Sequence, residues 1–344
     1  MFRWLALRSG AIAGVILGLL ALTRVANGAS YPYQFDILVL ALIFVTLAVS
    51  LNLINGITGQ FSIGHAGFYA VGAYMGAAWT VLWQPLVVKH LPLLALGTLT
   101  GDSINLVIAL ALGATAAAVA GFIVGLPSLR LRGDYLAIVT LGFGEMIRVI
   151  LLNIDAVGGP RGMYGIPTLV SNNGMALFWV LLVAIAAIAV SRNLVQTARG
   201  LTWLAVREDE VAADAMGVNT TRVKVTAFVI GSAFAGAAGV LYAHFQTGIS
   251  PDYFDMNQSI LITTMVVLGG SGSITGSVLA ALVLSALPEL LRSYVPHIGD
   301  YRMVVFSTLL VVIMLTRPQG LFGTKEISLD LFTERRRRNR RVIT

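Results

Sequence analysis

The stretch Ile37-Leu38-Val39-Leu40-Ala41-Leu42-Ile43-Phe44-Val45-Thr46-Leu47-Ala48-Val49-Ser50-Leu51 holds no charged residue, no glycine and no proline. With its flanks it makes a run over 36–55. A helix rising ~1.5 Å per residue needs that length to cross a hydrocarbon core of ~30 Å. The run is continuously apolar and does not alternate, which argues against a strand of a membrane barrel. The pattern recurs along the chain. Apolar stretches separated by charged or turn-rich interruptions lie near 10–27, 36–55, 61–84, 104–127, 134–153, 175–192, 224–248, 257–269, 274–291 and 301–316. The expected fold is an all-α polytopic membrane protein with about ten transmembrane helices, some of them interrupted.

Composition agrees with that reading. Of 344 residues, 57% are apolar and 11% charged, and the mean hydropathy is +0.85. Soluble domains carry about 25% charged residues, so a soluble enzyme and a disordered chain are excluded. The absence of cysteine excludes a disulfide module and thiol chemistry. The net charge of +7 could suit a nucleic acid, but its placement speaks for topology. With the N-terminus inside, Arg3, Arg8, Arg130, Arg132, Arg192, Arg199, Arg207, Arg222, Lys224, Arg317, Lys325 and the six arginines of 335–341 fall on the inner side. These are 17 of the 23 basic residues. The positive-inside rule then selects N-in and C-in, with an even number of spans. The tail over 324–344 reads as a cytoplasmic basic extension that touches anionic headgroups, and no nucleic-acid partner is expected. Residues 1–323 read as one transmembrane domain. Ala26-Asn27-Gly28 after the first run has the form of a cleavage site, but the expectation is an uncleaved first span.

Two interruptions stand out. The run over 257–269 is only about thirteen residues long, or ~20 Å of helix. It ends in Leu268-Gly269-Gly270-Ser271-Gly272-Ser273. A related segment, Gly56-Ile57-Thr58-Gly59-Gln60-Phe61-Ser62-Ile63-Gly64-His65-Ala66-Gly67, enters the third run, and both contain G-x-x-S-I, at 59–63 and 270–274. Non-helical backbone at membrane depth persists only where protein or a water-filled cavity satisfies its polar groups. Carriers use such breaks to bind solutes, since half-helix N-termini attract carboxylates. Ser62, Gly64, His65, Gly67, Gly269, Gly270, Ser271, Gly272 and Ser273 are therefore candidates for a solute path. Close helix packing by small residues is the competing reading. Glu145 and Arg148 stand three apart within the run 134–153. They read as an ion pair facing the bundle interior. Contact with a zwitterionic solute is the alternative.

The interior segment 193–222 contains Arg207-Glu208-Asp209-Glu210-Val211-Ala212-Ala213-Asp214-Ala215-Met216-Gly217. It reads as a short helix with acids in its first turn and Gly217 as a left-handed cap. The part Val211-Ala212-Ala213-x-x-x-Gly217 resembles the EAA-x-x-x-G loop of ABC importer permeases, with Val211 standing where that motif has Glu. Further stretches resemble the M-type permease subunits of branched-chain amino-acid importers. They are Leu51-Asn52-Leu53 with 59–66, 129–145, Gly158-Gly159-Pro160-Arg161-Gly162, 207–210, 269–274 and Arg317-Pro318-Gln319-Gly320-Leu321. The resemblance runs from about residue 35 to 323.

The resemblance implies a permease in the bacterial cytoplasmic (inner) membrane. It implies pairing with a second homologous permease, two cytoplasmic ATPases and an external solute-binding protein. ATP and Mg would be used by the ATPases, with no cofactor or metal bound by this chain. Arg207, Glu208, Asp209, Glu210, Ala212, Ala213, Asp214 and Gly217 would form the ATPase-coupling element. The loop 157–166 lies outside in the threading above, and its glycine and proline content suits a plain turn as well as a contact with the binding protein. The sequence contains no G-K-[ST] P-loop, since its lysines Lys89, Lys224 and Lys325 follow Val88, Val223 and Thr324. No enzymatic site is expected. A permease for urea or another small solute, and an ion-coupled secondary transporter, are the alternatives.

Overall fold

The computed structural model describes residues 32–89, 96–97, 99–128, 131, 133–169 and 173–294, with isolated positions between 307 and 323. The expected runs 10–27 and 301–316 and the basic tail lie outside these residues, isolated positions aside. Helix α1 (Pro32–Asn52) runs on into a π-helical turn, Leu53–Ile57. Helix α2 (His65–Ala78) continues through a second π-turn, Trp79–Trp83, into Gln84–Val88. Then come α3 (Leu99–Ser128), α4 (Asp134–Leu152) and α5 (Asn173–Gln196). Two short helices, α6 (Ala198–Glu208) and α7 (Glu210–Ala215), precede α8 (Thr220–Gln246). The last described elements are α9 (Met256–Gly269) and α10 (Ile274–Tyr294).

Among the described residues, six helices are long and apolar enough to cross a membrane. They are Tyr33–Ile57, His65–Val88, Thr100–Pro127, Asp134–Leu152, Gly174–Gln196 and Thr220–Gln246. The expectation of about ten is met in part only. The run 257–269 is helical as α9 but, at 14 residues, covers ~21 Å. The run 61–84 begins four residues late, because 58–64 is non-helical and α2 starts at His65.

Small residues set the packing at the centre. Gly72 of α2 faces the backbone of Gly236 on α8, Gly76 meets Val240, and Gly239 lies on Tyr69 and Ala73. Gly113 and Gly121 bring α3 onto the same two helices, at Gly72 and Ser232. Close backbone approach of this kind replaces the hydrophobic drive that lipid-facing helices lack. Among the described residues α2 and α8 run parallel and bury Tyr69, Phe68, Phe228 and Ala235 between themselves and their neighbours. At one end, strands β1 (Met163–Tyr164) and β2 (Gly248–Ile249) pair antiparallel and tie the segment after α4 to the segment after α8. Ile166 N–H extends the tie by donating to Thr247 O at 3.2 Å. The loop 157–166 thus closes onto the end of α8. The opposite end carries α6 and α7.

Candidate functional site

Helix α2 begins inside the bundle. A Cβ at Gly64 would run into the carbonyl of Thr140, and one at Gly67 would lie 2.9 Å from Gly144 Cα. Thr140 is about 9 Å along α4, a third of its length. On α8 the parallel pairs Gly72–Gly236, Gly76–Val240 and Thr80–His244 place the same start about a third of the way along. Helix α9 begins at this level too, since Ser259 Oγ in its first turns accepts from Ala66 N at 3.0 Å. From that junction α2 runs toward the β1–β2 end. Helix α9 runs the other way, reaching Gly269 beside the coupling segment. Two helices therefore leave one level in opposite directions with their N-termini together, an arrangement with positive partial charge at its centre.

The polar groups of the junction are largely committed. Asn55 braces the non-helical segment by accepting from Ser62 N at 3.1 Å and donating to Ser62 O at 3.0 Å. Ile63 N donates to Thr140 Oγ1 at 3.1 Å. His65 is fully buried, with Nε2 2.8 Å from Ser50 Oγ. Ser50 Oγ also lies 2.9 Å from Leu47 O, and Nδ1 is the ring nitrogen outside the contact with Ser50. That Nδ1 and the buried Ser62 Oγ have no hydrogen-bond partner among the described residues. Gly64 and Gly67 serve close approach to α4. Ser62 and His65 present polar atoms at the junction.

The second break meets the first. Gly270 (φ +109°) and Gly272 (φ +96°) turn the chain between α9 and α10 in a backbone region that side chains rarely adopt. Gly272 N donates to Asn52 Oδ1 at 2.9 Å, across 220 residues. Gly269 packs on Gly276 and Ser277, and Gly270 on Gly320 and Gly323. Leu321 N donates to Leu268 O at 2.8 Å. Ser273 caps α10 by accepting from Gly276 N at 3.1 Å, and Ser271 is partly exposed. Both G-x-x-S-I segments thus precede a helix.

Glu145 and Arg148 do form the expected pair, with Nη1 3.3 Å from Oε2, and a third group joins them. Asp252 Oδ1 accepts from Arg148 Nη2 at 2.7 Å. It is presented by the 3-10 turn Pro251–Phe254 between β2 and α9. The triad sits near the end of α4 beside the β1–β2 end. Glu145 and Arg148 keep 36% and 27% of their side-chain surface. On α4 the exposed residues Tyr135, Ile138, Gly142, Met146 and Val149 make one stripe beside Glu145.

The coupling segment departs from the expected single helix. Arg207 and Glu208 end α6, Asp209 is extended (φ −153°), and α7 starts afresh at Glu210. Asp209 is therefore the N-cap of α7, accepting from Val211 N and Ala212 N at 2.9 and 3.1 Å. Glu210 accepts from Lys224 Nζ on α8 at 2.6 Å. Ala213 is buried, while Ala212 and Asp214 are exposed. Gly217, at φ +84°, closes the element as expected. Val211 and Met216 stand 60% and 84% exposed on its outer side. Beneath it, Trp203 and Val206 of α6 pack with Leu53 and Ile57 of the π-turn after α1. A cavity of about 490 Å³ opens alongside, lined in part by Trp203, Val218 and Arg222.

Ser50, Asn52, Thr140, Asp252 and Ser259 were not singled out from the sequence. Asn52 and Asn55 did carry a signal, as two amides closing an otherwise apolar run.

Comparison with known proteins completes the description. The family described as branched-chain amino acid transport system / permease component matches residues 33–314. The high-affinity branched-chain amino acid transport system permease protein LivM of Escherichia coli K12 is 37% identical over 326 residues. That alignment covers 86% of this chain and 71% of the relative. LivM of Salmonella typhimurium is 36% identical over the same shares. The LivH permease of Salmonella typhimurium is 34% identical over 152 residues, or 44% of this chain and 48% of that protein. No solved structure matches the chain.

Proposed function

From the premise that this chain belongs to the branched-chain amino acid transport permease family, we propose that it is one membrane-spanning half of an ATP-driven importer. Its cargo is branched-chain or other apolar amino acids, moved into the cytoplasm. The second half is a related permease, two cytoplasmic ATPases use ATP and Mg, and an external binding protein delivers the solute. Residues 1–323 act as one permease domain of about ten spans, N-in and C-in, with the β1–β2 end outside and α6–α7 inside.

The observation that carries this reading is the build of α7. Its base is tied to α8 by the Lys224–Glu210 bond, and its tip exposes Val211 and Met216 outside the bundle. Large apolar side chains left open on a capped, anchored element suit docking into a groove of a soluble partner. Glu208, Asp209, Ala212, Asp214 and Gly217 complete that docking element around the buried Ala213. ATP-driven closure of the partner ATPases then moves the permease between outward- and inward-facing states.

The solute path runs along the exposed stripe of α4 and past the junction of α2 and α9. A carboxylate at Glu145 is costly against lipid, so this stripe faces protein or water. The helix N-termini at Ser62, Gly64, His65 and Gly67 favour the solute carboxylate. Glu145, in its triad with Arg148 and Asp252, favours the solute ammonium. The break 269–273 lines the inner end of the path.

The test is reconstitution with the partner permease, ATPases and binding protein in vesicles. Gly217→Val and the pair Val211→Asp with Met216→Asp should lower uptake and solute-stimulated ATP hydrolysis together, while solute affinity of the binding protein stays unchanged. Uptake driven by an ion gradient without ATP would overturn the proposal.

A further inference from the structure

Arg207 stands apart from the rest of the coupling segment in what it touches. It is partly buried, and it has no carboxylate partner among the described residues. Its stem lies on the first break: a Cβ at Gly59 would sit 3.1–3.4 Å from Arg207 Cγ, Cα and Cβ. Its guanidinium lies on the second: a Cβ at Gly272 would meet Arg207 Nη1 and come within 3.2 Å of Gly56 O. Both glycines have positive φ, at +70° and +96°. Their missing side chains are what let one arginine lie across both backbones.

The surroundings make this contact rigid. Asn52 Oδ1 holds Gly272 N, and Gly56 abuts the same two groups, so the breaks are locked to each other. Trp203, one turn before Arg207, and the adjacent Val206 are buried against Leu53 and Ile57 of the π-turn. On the far side of Asp209, α7 is held to α8 through Glu210 and Lys224. A push on α7 therefore reaches the bundle along two routes, through Lys224 into α8 and through α6 into both breaks.

We infer that Arg207 is a positioning residue that clasps the two broken segments to the coupling element, so that displacement of α6–α7 moves both breaks as one body. The inference rests on the permease reading above and adds the residue through which motion reaches the solute path. An apolar stem and a planar head are both used, so lysine, which lacks the flat fork, is a partial substitute.

The experiment uses the assembled transporter in vesicles, with Arg207→Ala and Arg207→Lys, and records solute moved per ATP hydrolysed. Because this chain has no cysteine, Ser271→Cys gives it a single thiol, whose labelling by maleimide is followed on this subunit, resolved from its partners, with and without a non-hydrolysable ATP analogue. Arg207→Ala should lower the transport-to-hydrolysis ratio about tenfold, in the range of ordinary coupling energies. The ATPases should still co-purify, and the nucleotide-dependent change at position 271 should be lost. Arg207→Lys should fall between. If Arg207→Ala keeps the wild-type ratio and the labelling change, or if uptake and hydrolysis fall in parallel, the clasp is wrong. Wild-type vesicles without ATP-dependent uptake would instead remove the permease reading itself, so the two failures are separable.

Discussion

Lys224 has its side chain 6% exposed and reaches Glu210, itself 22% exposed, at 2.6 Å. Breaking a buried pair by removing one partner strands the other charge. Glu210→Gln should therefore destabilise the protein by about 2–3 kcal/mol, below the fully buried range because Glu210 keeps some water contact. The double change of Glu210→Leu with Lys224→Met should recover most of the loss, as thermal unfolding in detergent would register. Gly64 is a different case. Its missing Cβ is where the Thr140 carbonyl sits, so Gly64→Ala should force α2 and α4 apart at about 1–3 kcal/mol. A variant with unchanged melting would contradict that packing. Residue chemistry was partly legible beforehand. Ser62 and His65 stood out as polar groups in apolar surroundings, and the Glu145–Arg148 pair follows from helical spacing. Asp252 did not, because it comes to Arg148 from 104 residues away through a turn that periodicity does not describe.

At the scale of elements, α4 was readable almost to the residue, over 134–153 against Asp134–Leu152, because glycine and charge bound an apolar run. The coupling segment was not. Acids suit the first turn of a helix and Gly217 its end, so 207–217 reads as one element, yet Asp209 bonds the backbone ahead of it and splits the segment in two. Asp209→Ala should fray α7 at about 1 kcal/mol of local stability and reduce solute-stimulated ATP hydrolysis, while Asp209→Ser retains most of it. Equal hydrolysis in all three proteins would mean the cap is irrelevant to docking. The start of α2 was misplaced for a related reason. Phe61 and Ile63 keep the hydropathy high across 61–64, although the backbone there bonds to Asn55 and Thr140 and not to itself.

For the molecule as a whole, the orientation proposed above has a direct check. Tyr164, 69% exposed on β1, and Met216, 84% exposed beyond α7, lie at opposite ends of the bundle. In the cysteine-free chain, an impermeant maleimide added to intact cells should label Tyr164→Cys and spare Met216→Cys. The reverse pattern would invert the topology. The sequence by itself determined that this is a helical membrane protein, that two of its apolar runs are broken by glycine and serine, and that a charged element lies between α5 and α8. These are local properties, since a helix satisfies its own backbone and its length and charge are written in consecutive residues. Only the tertiary structure decided that α2 and α9 start back to back at Ala66 and Ser259, and that both breaks meet beneath Arg207. A broken segment cannot satisfy its own backbone. Its partners are supplied by side chains such as Asn52 and Ser259, some 190 to 220 residues distant, and no local pattern names them.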